Sequence, residues 1–318
     1  MCQHTDKFGI SSRLQEIISL LGQSQVFEEA SEILEELTGV IISAKQIQRV
    51  SEYYGDKLED LNKAYDQGLK PAPVLDIPPS DTVYAMVDGS MVLIREQGWK
   101  EIKVGRVYGE SSRVAIQPGR QQVSESLYVC HLGNNKDFFN KFDPYIDHYK
   151  RKVIIGDGAK WIWSWAGDYH SDALQILDFF HAVEKLGTYA AAEYADDKVR
   201  NRWLDKQKLR LKNNEVLDII NELSSHTARN NKAARLLMQV VGYYQSNAGR
   251  MQYKTYLEQG YLIGSGAIES AHRNVIQQRL KLSGQRWSVQ GVQAMANLRA
   301  CKKANQWKIL IDCIKGAA

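Results

Sequence analysis

The chain is poor in the residues that build covalent or membrane-bound frameworks. Four cysteines (Cys2, Cys130, Cys301, Cys313) are scattered over 318 residues without CxxC spacing. This argues against a disulfide framework and for a reducing cytoplasm. Cys2 and His4 are either half of a metal site or part of a frayed terminus, and no second pair lies nearby. No apolar run approaches the roughly 18 residues that a membrane span needs, and the opening MCQHTDKFGISS is too polar for a secretory signal. GxxxxGK[ST] is absent. Gly264, Ser265 and Gly266 begin like GxGxxG, but the sixth position is Glu269 and no clear strand precedes them, so no nucleotide cofactor is expected. Proline is scarce too: four of the six (Pro71, Pro73, Pro78, Pro79) crowd into one stretch. Residues 71–81 therefore read as a stiff linker and a domain boundary.

What is present is charge, unevenly spread. Residues 1–70 hold 7 Lys/Arg against 12 Asp/Glu, and residues 71–197 hold 13 against 18. Residues 198–318 hold 21 against 7, a balance of +14 in a chain of net +4. Such asymmetry implies that the last third faces a polyanion, most commonly nucleic acid, or is a solvated basic surface.

Hydrophobic periodicity divides the chain. Residues 1–70 carry apolar positions at helical spacing (Leu14, Ile17, Ile18, Leu21; Phe27, Ala30, Ile33, Leu34), with Gly39 as a stop and Ser43 as an N-cap. This is a helical module, either a helix-turn-helix or a packing and dimerisation unit. After the linker, TVYAMVDGS, WKEIKVGRVYG, SLYVCHL, RKVIIGDG and QILDFF predict strands, with a helix at 135–150 interleaved, as in a mixed α/β sheet. Residues from about 182 to 255 are helix-compatible, with a loop around 246–265. GAIESAHRNVIQQRLKL and residues 288–305 predict two closing helices.

Asp88 (AMVDGS) and Asp157 (VIIGDGAK) each end an apolar run and precede a glycine, which permits a sharp turn beyond the carboxylate. Each is either an ordinary Asp-Gly turn or one of a pair of carboxylates at strand ends, where ligand groups of α/β sheets collect. Glu269 is a third carboxylate on a helix, or an exposed partner for Arg273. Such oxygen donors suit Mg²⁺, and two ions assist phosphodiester displacement.

AMVDGS, VIIGDGAKWIW, LDFFHAVEKL and GSGAIESAHRNVIQQRLKLSGQRWS together resemble the DDE transposases of bacterial insertion sequences, in the ISKra-type, Mutator-like branch. The resemblance spans about residues 80–305, and the last motif is the most specific. It implies an RNase H-like catalytic domain over 82–318 with an all-helical insertion at about 182–255. Asp88, Asp157 and Glu269 would then be the catalytic and metal-binding triad. It also implies two Mg²⁺ ions, replaceable by Mn²⁺, and double-stranded DNA at element ends and target as partner. A homodimer or higher oligomer on DNA, in the nucleoid, follows too. Spacing agrees with that layout: 69 residues separate the aspartates, and 112 separate Asp157 from Glu269.

Asp178 and His181 match the Asp-x-x-His of Mutator-like enzymes. His181 is thus either catalytic, approaching the phosphate, or a helix-capping partner of Asp178. His272, Arg273, Arg279, Lys281, Arg286 and Trp287 form a basic stretch with one aromatic, suited to a DNA backbone and an unpaired base. For the charged residues a solvated helix face is the alternative. For Trp287, as for Trp161, Trp163 and Trp165, core packing is the stronger reading. Two other functions fit the same residues: a non-catalytic DNA-binding regulator descended from a transposase, and an RNase H-like nuclease that cuts without joining.

Overall fold

The computed structural model describes residues 7–117 and 120–316. Cys2 and His4 lie outside the described residues. In chain order, three helices, α1 (Ser12–Gly22), α2 (Phe27–Thr38) and α3 (Ala44–Asp66), precede a stretch without regular structure over 71–82. Strands β1 (Val83–Ile94), β2 (Gly98–Gly109), β3 (Arg113–Gln117), β4 (Arg120–Val123) and β5 (Leu127–Leu132) follow, then α4 (Asn135–Phe142). Next come β6 (Lys152–Gly156), α5 (Lys160–Tyr169) and β7 (Leu174–Leu177). A helical run contains α6 (Phe179–Glu193), α7 (Asp197–Lys212), α8 (Val216–Ser225), α9 (Asn231–Asn247) and α10 (Tyr253–Glu258). The chain closes with α11 (Gly266–Ala271), a π-helical turn (His272–Gln277), α12 (Gln278–Leu280), α13 (Val289–Lys303) and α14 (Trp307–Ile314). Antiparallel and parallel strands with many helices make it a mixed α/β protein. No helix among the described residues is long and apolar enough to cross a membrane.

The chain forms two compact units, Met1–Arg151 with Ala267–Ala318, and Lys152–Gly266. In the first, β2 lies between β1 and β5 and is antiparallel to both, with Asp88 opposite Val104 and Val104 opposite Cys130. The β1–β2 turn uses Glu96 and Gly98 at φ 63° and 71°. β5 has no strand on its outer side in this unit. Instead Gln293 of α13 accepts from Leu132 N at 2.8 Å and donates to Cys130 O at 2.9 Å. α3 runs against α13 so closely that a Cβ on Gly55 would lie 2.2 Å from the Ala294 carbonyl oxygen. The N-terminal helices therefore share their core with the C-terminal ones.

In the second unit, β6 and β7 are parallel, Val153 opposite Leu174 through Gly156 opposite Leu177, joined by α5 as a crossover. The tryptophans of WIWSW stand on α5, where Trp163 and Trp165 are buried, in accord with a core role.

Several expectations are corrected. Asp88 does not end its strand: β1 continues six residues beyond it to Ile94, because Gly89 is not a turn but a ladder position opposite Lys103. The glycine leaves room for Glu101, whose carboxyl would meet a Cβ there at 2.3 Å. The helix expected over 266–282 is interrupted by the π turn. The β3–β4 hairpin and α14 were not anticipated, and α10 occupies part of the expected loop.

Candidate functional site

In the first unit, Met86, Asp88 and Ser90 share one face of β1, as do Ile102, Val104 and Arg106 of β2. The segment from Ala267 to Lys281 lies over this face. Arg106 Nη1 donates to Ala267 O at 2.7 Å, Lys281 Nζ donates to Ser90 Oγ at 3.3 Å, and His272 Nε2 lies 3.2 Å from Asp88 Oδ2. The last contact has ion-pair distance without hydrogen-bond alignment, since neither ring nitrogen of His272 finds a hydrogen-bond partner among the described residues. Asp88 is 34% exposed at its side chain and His272 5%. The other oxygen of Asp88 accepts from Gly89 N at 2.7 Å. Glu269 is exposed on α11, three residues before His272.

Arg106 is buried, with no carboxylate partner among the described residues. Its guanidinium lies 5.4 Å from the rings of both Tyr108 and Tyr128, and Nε donates to Ser126 Oγ at 3.0 Å. It fixes the start of the segment that carries Glu269. The sequence carried one trace of it, a lone cation within the alternating row Ile102, Val104, Tyr108.

The basic stretch divides. Arg273, Lys281 and Arg286 are exposed. Arg279 is a correction: it is fully buried, so it cannot meet a DNA backbone. Its guanidinium sits 4.7 Å from the Phe27 ring and 5.0 Å from the Trp287 ring, and Nε donates to Gly22 O at 3.2 Å. Burial, with Arg299 nearby, pushes its pKa down to about 10. Trp287 is likewise buried, with Nε1 donating to Leu280 O at 3.1 Å. Its backbone bridges to β1 by Trp287 N to Leu93 O at 3.1 Å and Arg95 N to Trp287 O at 2.8 Å. It is a core anchor rather than a base-stacking platform.

In the second unit, Asp157 follows β6 directly, and Gly158 at φ 95° turns the chain as expected. Asp157 Oδ1 accepts from Ala159 N at 2.9 Å, while its carbonyl accepts from Tyr243 Oη at 2.7 Å. No motif in the sequence signals the contact from Tyr243.

Asp178, fully buried, caps α6: Oδ1 accepts from Phe180 N at 2.5 Å and His181 N at 2.9 Å. Its Oδ2 accepts from Ser265 N at 2.6 Å and lies 3.6 Å from His181 Nδ1. Burial alone would raise the Asp178 pKa, but the groups of His181 and Ser265 that face it bring it below its ordinary value. The Asp178 carboxylate beside it pushes His181 up to about 9, against the opposing effect of burial. The neighbouring carboxylate thus favours the cationic form of His181, whose side chain is one third exposed.

Among the described residues, no three or more His, Cys, Asp or Glu side chains gather as a metal site.

Comparison with known proteins gives two matches. The model of the uncharacterised protein family UPF0236 matches residues 110–308. The chain is also 24% identical over 310 residues to the UPF0236 protein in the vanSb 3′ region of Streptococcus gallolyticus. That alignment covers 94% of this chain, which spans 65% of the relative's length. With the family match running through β3–β5, the whole second unit and most of the closing helices, the chain belongs to the UPF0236 family.

Proposed function

We propose that this protein is a transposase that cleaves DNA at element ends and transfers the freed strands into target DNA, using an RNase H-like DDE domain. The observation that carries the reading is the pairing of His272 with Asp88. Two motif segments far apart in sequence, AMVDGS and AIESAHRN, meet on one face of one unit, with Asp88 and His272 184 positions apart. The resemblance expects the segments that carry Asp88 and Glu269 to come together in this way.

By the resemblance, Asp88, Asp157 and Glu269 would each offer the hard oxygen donors that Mg²⁺ prefers. When bound, such ions activate an attacking oxygen and neutralise a leaving one. The chain's own residues do the rest. His272 lies against one oxygen of Asp88. Arg106 fixes the first turn of the Glu269 segment through the Ala267 carbonyl. His181, in its cationic form, offers charge to a phosphate. Exposed Arg273, Lys281 and Arg286 suit a nucleic-acid backbone.

The test incubates purified protein with Mg²⁺ or Mn²⁺ and a duplex carrying the DNA that flanks its coding sequence. Nicked and joined products are expected. Asp88→Asn, Asp157→Asn and Glu269→Gln should each abolish both while leaving DNA binding intact. Full cleavage by Asp157→Asn would sink the assignment. Nicking without joining favours a nuclease, and binding without cutting favours a regulator.

A further inference from the structure

The basic excess of residues 198–318 is not all available to a partner. Arg279 and Arg299 are buried, Arg299 donating to the Val275, Asn274 and Gln23 carbonyls. Of the seven cations on α7, Arg200 pairs with Asp197, Lys208 with Asp205, and Arg210 with Glu215 and Glu222. Lys212 lies over the Phe179 ring.

Three remain. Lys198, Arg202 and Lys206 are exposed and have no ion pair or side-chain hydrogen bond among the described residues. They stand at i, i+4 and i+8 on one face of α7, a stripe about 12 Å long at 1.5 Å per residue. α7 also needs little of its surface for packing, since only Gln207 and Leu211 are buried. Three unneutralised cations side by side repel one another; a line of phosphates offsets that repulsion, and the DNA releases condensed counterions as they bind.

We propose that the Lys198–Arg202–Lys206 stripe of α7 is a sequence-independent docking face for the phosphate backbone of duplex DNA. This rests on the transposase reading and extends it to a surface in the helical insertion, apart from the stretch 272–287.

The experiment measures affinity of the full chain for a duplex of unrelated sequence across a salt series. The variant is Lys198→Ala/Arg202→Ala/Lys206→Ala. Its control, Arg200→Ala/Lys208→Ala, removes charges already paired. About 0.9 is lost from the slope of log K against log [salt] for each phosphate contact removed. The stripe variant should therefore flatten the slope by roughly 2–3 and weaken binding at least tenfold, while the control changes little. Unchanged far-ultraviolet circular dichroism keeps the comparison valid, because all three side chains point to solvent. An unaltered slope in the stripe variant overturns the proposal, as does an equal loss in the control. If the wild type cleaves and joins DNA while the stripe variant binds normally, only this inference falls. If the wild type binds no duplex at all, both fall.

Discussion

Replacing Asp178 by asparagine separates two jobs that one buried carboxylate performs. Asparagine caps helices as well as aspartate does, so the bonds from Phe180 N and His181 N to Oδ1 survive. The other oxygen becomes an NH₂ facing the Ser265 amide, donor against donor, in a position with no solvent access. Losing that charge-assisted bond costs about 1.5–3 kcal/mol. The ion pair with His181 goes too. At 3.6 Å, with a third of the ring exposed, it contributes about 1 kcal/mol.

Its pH dependence has a definite sign. His181 is raised from 6.5 to about 9, so its contribution is whole below pH 6.5 and disappears as pH rises through 9. Asp178 is lowered from 3.8, so its contribution is whole above that value and is lost as pH falls through the depressed one. The wild-type second unit should thus be most stable between about pH 4 and 6.5. Asp178→Asn should lose about 3 kcal/mol at pH 6 and about 2 kcal/mol above pH 9. Hydrogen exchange of peptides covering 178–186 and 262–268, with urea unfolding at both pH values, reads this directly. A loss below about 0.5 kcal/mol at pH 6 would refute the reasoning. So would a wild-type decline between pH 6.5 and 9 that persists in the variant.

Other substitutions probe the remaining supports. Gly55→Ala forces a methyl onto the Ala294 backbone, so α3 and α13 must part; a loss of about 2–3 kcal/mol in urea unfolding is expected. Arg106→Met removes the bonds to Ala267 and Ser126. Exchange across 267–277 should accelerate, and Arg106→Lys should restore less than half of the protection, because an ammonium cannot reproduce the guanidinium fork. Tyr243→Phe deletes the hydroxyl that meets the Asp157 carbonyl and should cost the second unit about 1 kcal/mol, read by exchange at residues 156–160.

The sequence disclosed its strands because β-branched and aromatic runs declare themselves locally: β2, β5, β6 and β7 fall within two or three residues of expectation. It misplaced Asp88 because Asp-Gly is a turn signal only when the chain is free to turn, and twelve ladder pairs with β2 hold this strand straight. Pro118-Gly119 between Arg113–Gln117 and Arg120–Val123 was a readable hairpin signal. The π turn was not readable, since HRNVIQ suits an α-helix equally well and only its surroundings decide. Arg279 misled for a similar reason. A basic residue in a basic stretch looks solvent-facing until the structure supplies the two aromatic planes and the Gly22 carbonyl that take it inside. The His272–Asp88 contact, between positions 184 apart, was not readable either, since nothing local in AMVDGS or AIESAHRN signals it.

The split of the first unit between Met1–Arg151 and Ala267–Ala318 has a consequence for biosynthesis. Because chains emerge from the ribosome N-terminus first and units fold as wholes, the second unit is complete before the first. Until α13 arrives, α3 exposes the flank around Gly55, and the outer backbone of β5 waits for Gln293. An open strand edge of that kind invites pairing with other nascent chains. The arrival of α13 is therefore the event that ends this period of vulnerability.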